Sequence, residues 1–471
     1  MIKYIKYTFL AILFSVPTLI FAQKTEVLKY LKQIDSTKIR TTVFTLASDS
    51  LEGRGTGQRG NDIAQKYIVA CLDSFGVKQG NGNSWFQNIN AVKSFNVAKK
   101  KFIVDGDDFS NDYKYENLYN QDTILNISEI IFIAATKKSD SFRLNNIHNK
   151  VIMKLSDTPL EHYTDELPCT VINIFPDFRP LSTKVFERTY WPPSVPPTGK
   201  HPNKVNININ LADQLLKSTG RTINEIIEKV EETGTPEILT LTTSAEIHGN
   251  VHYVDMNANN IIGIIEGSDL KDEYIILSAH YDHLGIVKGE IFNGADDNAS
   301  GVSNVLEIAR VTAKAKNEGN ELRRSVVTLF FAAEESGLIG SGYYVNNPVF
   351  PLENTKACIN VDMTGRIDDK YKSTNGNYIY VVNSDQTNGN LLSHVRNSNN
   401  DALIINTKDL NRLFKRSDHY NFAKNNIPSI LLTSGLHNDY HTPKDDAELI
   451  NFNALWKRNR FIFSLVWNLS L

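Results

Sequence analysis

The run Ser278-Ala-His-Tyr-Asp-His-Leu-Gly-Ile-Val-Lys-Gly-Glu-Ile-Phe-Asn-Gly-Ala-Asp-Asp-Asn-Ala-Ser-Gly301 decides how this chain is read. Just before it, Tyr274-Ile-Ile-Leu277 is a short apolar run of the kind that forms a buried strand. His280 and Asp282 stand two apart at its end, so extended backbone points both to one face. That placement suits an imidazole that binds a metal beside a carboxylate that orients it. The second half, from Gly294 to Gly301, sets two acids in a turn of small residues that opens a helix over Val302–Ala313. Acids at a helix start also serve as plain caps, because the helix dipole favours negative charge there. Each half alone is evenly balanced between the bland reading and the metal-binding one.

From about residue 241 the pattern alternates strand and helix. Strands are predicted at Asn260–Ile265, Tyr274–Ser278, Val326–Ala332, Ala357–Asp362, Tyr378–Val382 and Ser429–Thr433. Helices are predicted at Gly301–Ala315, Leu338–Asn346, Gly389–Ser398, Asp418–Lys424 and Asn453–Ser470. This is the pattern of an α/β domain on a mostly parallel sheet, where sites form beyond the carboxyl ends of the strands. Polar groups recur at those ends. The run Thr328-Leu-Phe-Phe-Ala-Ala ends in Glu334-Glu335, a second apolar run ends in Asp362, and a third leads to His437 and His441. Any one of these is more often an ion-pair partner or an inconsequential loop residue. Together, His280, Asp296, Glu335, Asp362 and His441 offer nitrogen and carboxylate donors from five segments, the supply that a pair of zinc ions takes with water completing the shells.

The motifs S-A-H-Y-D-H-L-G, N-G-A-D-D-N-A-S-G, A-A-E-E-S-G, N-V-D-M-T-G-R and D-Y-H-T-P resemble, in order and spacing, those of the co-catalytic zinc aminopeptidases. That family includes secreted bacterial leucyl aminopeptidases and has glutamate carboxypeptidase II and the transferrin receptor as relatives. The resemblance covers 241–471 and extends through L-E-G-R-G-T-G into 45–90. It implies a three-layer zinc-peptidase domain with a mostly parallel mixed central sheet, built from 23–90 and 241–471 and holding two Zn2+ per chain. It implies that His280 and Asp362 bind one zinc and Glu335 and His441 the other. Asp296 would bridge them, with a cis peptide to Asp297. Glu334 would be the general base, and Asp282 would hydrogen-bond His280. The run R-S-D-H-Y-N-F-A (416–423) is similar too. Asp418 and His419, together with Tyr440, His437 and Asp297, are expected around the substrate pocket or behind the ligands. In the implied chemistry two cations supply hydroxide near neutral pH and polarise a scissile carbonyl, while Glu334 carries the proton to the leaving amine.

Residues 91–240 change character. Short β-rich runs at Glu129–Ile133, Val151–Leu155 and Thr170–Ile174 alternate with Asn/Asp-rich turns, an irregular loop begins at Trp191-Pro-Pro, and Leu211–Lys217 and Thr222–Thr233 have helical spacing. This reads as a β-rich inserted module. By its position and the run Asn149-Lys-Val-Ile-Met-Lys154 it resembles a protease-associated domain. The glycine-dense loop Leu51–Gly60 lacks a Lys-Ser/Thr ending, so it is no phosphate cradle and is expected as a surface turn beside something functional.

With 41% hydrophobic and 22% charged residues and a formal net charge of −3, the composition is that of a globular protein without the basic excess a nucleic-acid partner requires. Lys3 and Lys6 precede an apolar stretch, Phe9–Phe21, with Ala22 as a cleavage point. That stretch is short of the roughly 20 residues of a spanning helix. An exported protein, periplasmic or extracellular and free of the membrane once residues 1–22 are removed, is expected. Only Cys71, Cys169 and Cys358 are present, so at least one is unpaired within the chain. Cys71 and Cys358 are expected to be buried and inert.

The expected function is removal of N-terminal residues from peptides. The alternatives on the same scaffold are glutaminyl cyclisation, which relatives perform with a single zinc, and carboxypeptidase or dipeptidase action. A receptor-like binding protein is a third class. The A-D-D-N-A pattern and the insert favour the peptidase over the cyclase, and the complete donor set speaks against a dead site.

Overall fold

Four neighbouring strands are apolar and buried almost throughout: Leu270–His280 over its second half, Arg324–Phe331, Thr355–Val361 and Ser429–Thr433. Strands buried on both faces require cover on both sides, the hallmark of a parallel sheet between helical layers. In the computed structural model these four run parallel, in the order Arg324–Phe331, Leu270–His280, Thr355–Val361, Ser429–Thr433. Asn259–Ile265 pairs antiparallel on one side, and Tyr378–Asn383 on the other. The structure describes residues 26–89, 93–110, 112–117, 122–135, 146–155, 158, 169–175, 189–190, 203–255, 257–287, 289–383, 391–408 and 410–471. The expected leader 1–22 and the loop beginning at Trp191 lie outside these residues.

Register positions the site. His280 pairs beside Phe331, Ser278 beside Asn360, and Asn360 beside Leu431. The segments that follow these strands therefore leave from one edge of the sheet. Helices Gly301–Asn317 and Phe452–Ser470 pack on one face, against Leu270–His280. Ile339–Asn346 and His419–Lys424 cover the other face, where Tyr344 and Phe422 close a core with Ile262, Ile276 and Leu329. Continuous apolar runs marked the strands, and helical spacing of apolar residues marked the helices. The edge strands Lys78–Gln79, Phe86–Asn88 and Ile404–Asn406, and the hairpin Gly285–Val287/Glu290–Phe292, escaped prediction because two or three residues carry no period.

The chain divides into two units, Met1–Asn90 with Met256–Leu471, and Ala91–Asp255. The second is β-rich and has its own core, with Phe102, Phe132, Met153 and Ile172 from strands and Leu215 and Ile226 from helices Ile209–Leu216 and Ile223–Thr233. Its far boundary was expected at 240. It lies at 255, because strand Glu237–Asp255 pairs along its length with Lys93–Val104 and Asp122–Ala134. That ladder binds residues 241–255 to the insert.

Two further expectations are corrected. The glycine loop is no surface turn: Leu51, Gly53, Arg54, Gly55 and Thr56 are all buried. All three cysteines are free thiols, but Cys71 and Cys169 are half-buried and only Cys358 is enclosed. No helix among the described residues is long and apolar enough to cross a membrane.

Candidate metal centre

Two groups of donor side chains gather at the strand ends: His283, Asp297, Glu335 and His441 in one, and His280, Asp297 and Asp362 in the other, with the donor atoms of each group within 4.8 Å of one another. Asp297 belongs to both. Its Oδ1 lies 3.3 Å from His280 Nε2, which is 3.4 Å from Asp362 Oδ1. Its Oδ2 lies 3.0 Å from His441 Nε2, which is 3.1 Å from Glu335 Oε2. His283 Nδ1 contacts Glu335 Oε1 at 2.7 Å and is 3.7 Å from Asp297 Oδ2. Asp297 Oδ2 and His441 Nε2 are buried, close and yet not hydrogen-bonded. Unpaired acceptors are costly to bury. Buried nitrogen and carboxylate donors that converge in this way, two of them without a hydrogen-bond partner, fit a site for divalent metal.

Asp296, the expected bridging residue, lies outside both groups. Its Oδ1 accepts the Gly365 N–H at 2.5 Å and its Oδ2 is 3.4 Å from His437 Nε2. The cis peptide joins Asp297 to Asn298 instead of Asp296 to Asp297. The turn is held from both sides. The fully buried Arg54 donates to the carbonyls of Asn293 and Gly294 and also to those of Tyr281 and Leu46. Asp445 accepts the N–H groups of Asp296 and Asp297, each at 3.0 Å. Gly294 has φ +57, and a Cβ there would stand 2.2 Å from Asp297 O and 2.4 Å from the His283 ring, so no side chain fits. Backbone in sparsely populated regions clusters around the donors: Ala333 before Glu334, Met363 after Asp362, and His441 itself all have positive φ.

Glu334 sits beside the shared centre, its Oε2 4.0 Å from His280 Nε2. Burial holds its carboxyl well above the ordinary range, helped by the charges of Glu335, Asp418 and Asp362 and opposed by His280. Asp282 does not take the place expected for it. Its carboxylate is 3.9 Å from His280 Nδ1, which faces the Asp282 main-chain carbonyl at 3.1 Å. The Asp282 carboxylate accepts the Glu334 N–H at 3.1 Å and the Thr56 hydroxyl at 3.0 Å. It therefore orients the backbone of Glu334, and burial pushes it up to about 6. For His441 burial opposes the charged ring, but the Asp297 and Glu335 carboxylates outweigh it and raise the imidazole to about 10.

The remaining expected residues divide. Tyr440 lines the pocket beside Glu334 and stacks on His441, with ring centroids 3.7 Å apart. His437 belongs with Asp296. Asp418 is buried, which pushes it up to about 7, and its neighbour Ser417 donates to Asp362 Oδ2 at 2.7 Å. His419 is buried edge-on against Phe414 and is not part of the pocket wall.

Residues 260–466 match the sequence profile of peptidase family M28. This part of the chain is a peptidase family M28 domain. Aminopeptidase YwaD of Bacillus subtilis is 28% identical over 228 residues, 46% of this chain and 45% of that protein. Leucine aminopeptidase 1 of Sclerotinia sclerotiorum is 24% identical over 222 residues, 45% of this chain and 56% of that one. The chain thus spans about half the length of the curated relatives it matches. Among solved structures, an aminopeptidase from Aneurinibacillus sp. strain AM-1 superposes with TM-score 0.62 at 17% identity, covering 93% of this chain and 95% of that one. BSAP, a zinc aminopeptidase from Bacillus subtilis, gives 0.56 at 17%, with 92% and 95% covered. At these identities the likeness is one of fold.

One residue of the M28 domain's centre escaped sequence reasoning. His283 stands in the quoted stretch, three after His280, but alternation along a strand assigns it to the opposite face. The chain leaves the strand at His280 and turns, which brings His283 under Gly294 and against Glu335. The only signal was a second histidine within four residues.

Proposed function

We propose that the protein is a zinc-dependent aminopeptidase that hydrolyses N-terminal residues from peptides at a two-metal centre. The observation that carries this reading is Asp297, whose two oxygens face separate donor groups within reach of Glu334. His280 and Asp362 would hold one zinc, Glu335 and His441 the other, and Asp297 would serve both, with His283 bracing Glu335. Zinc bound there supplies Lewis acidity and a low-pKa water. Glu334 is the proton carrier: the carboxyl kept protonation-competent by burial accepts a proton from the attacking water and returns it to the leaving amine. Asp282 and Thr56 hold its backbone during this exchange. The names of the relatives and the zinc of BSAP support the chemistry.

The leader expected at 1–22 supports export, and the β-rich unit Ala91–Asp255 is taken as a protease-associated domain.

The test combines metal analysis of the purified protein with aminoacyl p-nitroanilides. Two zincs per chain and turnover of free-amine substrates are expected. Glu334→Gln should retain its metal and lose at least about 1,000-fold in kcat. Full activity of that variant, or wild type that turns over no free-amine substrate when loaded with two zincs, sinks the reading.

A further inference from the structure

The pocket beside Glu334 combines the carboxylates of Asp297, Glu334 and Asp362 with an apolar wall that includes Leu413 and Leu436, and a single lining cation, Arg416. The other arginines with described contacts are committed. Arg54 and Arg458 are buried against main-chain carbonyls, and Arg366 pairs with Asp439. Arg416 is exposed, and only its main chain is engaged, the N–H donating to Leu413 O at 3.0 Å. Its guanidinium has no hydrogen bond or ion pair among the described residues. Arg412 and Lys415, in the same turn, have no carboxylate partner there either. This local excess of positive charge stands on a chain of formal net charge −3.

A free guanidinium at the wall of a peptide pocket offers a planar fork that matches a carboxylate in two parallel hydrogen bonds. We propose that Arg416 is a specificity-determining residue that selects substrates carrying a carboxylate near the scissile bond. This rests on the peptidase reading above. The carboxylate comes either from an acidic side chain of the N-terminal residue or from the free carboxyl terminus of a short peptide. Because Arg416 is exposed, its effect is modest and salt-sensitive.

The test uses the full-length zinc-loaded protein and two substrate pairs. Glutamyl against glutaminyl p-nitroanilide tests the side chain, and Leu-Gly against Leu-Gly amide tests the terminus. Arg416→Gln should lower kcat/KM for the carboxylate member of one pair about fivefold more than for its neutral partner, through KM, and the pair affected names the source. Arg416→Lys should recover part of the difference, and 0.5 M salt should shrink it in the wild type. Calorimetric binding of glutarate, which has no scissile bond, should weaken in Arg416→Gln by a similar factor. Turnover in which Arg416→Gln affects both members of each pair equally, with unchanged glutarate binding, overturns the inference. No turnover of any substrate by wild type, with glutarate binding still dependent on Arg416, instead overturns the peptidase reading alone.

Discussion

Asp296 and Asp297 are the same residue type one peptide apart, both buried, and they do different things. Asp297 turns its two oxygens toward opposite donor groups, while Asp296 is spent on Gly365 N–H and faces His437. Replacing either removes one negative charge from the same turn, so a purely electrostatic account predicts equal effects on metal affinity. The geometry predicts unequal ones. Outer-shell partners of metal ligands cost about 10- to 100-fold in affinity. Asp297→Asn should therefore lose more than about 100-fold, and Asp296→Asn less than about tenfold, by zinc competition against a chromogenic chelator. The reverse order would restore the bridging role first expected for Asp296.

The turn that separates these two aspartates is an element held by distant residues. Arg54 satisfies the carbonyls before it, and Asp445 the N–H groups within it. Burial draws Arg54 down to about 10, which still leaves it charged at neutral pH. Arg54→Met leaves four carbonyls without their donor and removes a buried cation from a cluster of carboxylates. The expected cost is about 3–5 kcal/mol in urea unfolding, the range for breaking a buried charged network. Arg59, five residues on, pairs with Glu52 but is itself 70% exposed. Arg59→Met should stay within about 0.5 kcal/mol. Equal losses from the two substitutions would show that Arg54 is not the tie between the glycine loop and the metal-binding turn.

At the scale of the molecule, burial writes a pH dependence into stability. Desolvation lowers His419 to about 3 from its ordinary 6.5. The unfolded chain therefore binds this proton first as pH falls. Stability rises with pH between about 3 and 6.5 and is flat in this respect above. Asp418, raised to about 7, acts with the opposite sign, since its protonated folded form loses stability as pH rises from about 3.8 through 7. Comparing His419→Asn with wild type cancels the shared groups. The stability of wild type minus that of the variant should rise with pH between about 3 and 6.5, by up to about 1.4 kcal/mol per pH unit, and be constant above. Parallel curves throughout would mean that His419 protonates freely in the folded state.

Much of this protein was legible along the chain. Apolar runs bounded by turns set the strands of the sheet, and acids and histidines at their ends named most of the donor set, because period and residue type are local properties. His280 and Asp362 stood at strand ends, while the division of roles between Glu334 and Glu335 and between His437 and His441 came from the family resemblance. Three things were decided by tertiary structure alone: that Asp297 and not Asp296 faces both donor groups, that His283 joins them, and that Asp282 serves the backbone of Glu334. In each case the direction of a side chain depends on backbone angles in a turn, and those angles are set by partners far away in sequence. Asp445 lies 149 residues from the Asp296 N–H it accepts, and Arg54 lies 239 from the Asn293 carbonyl it binds. No local pattern encodes such contacts, so a one-residue register in the turn is settled only when the sheet has folded and brought its strand ends together.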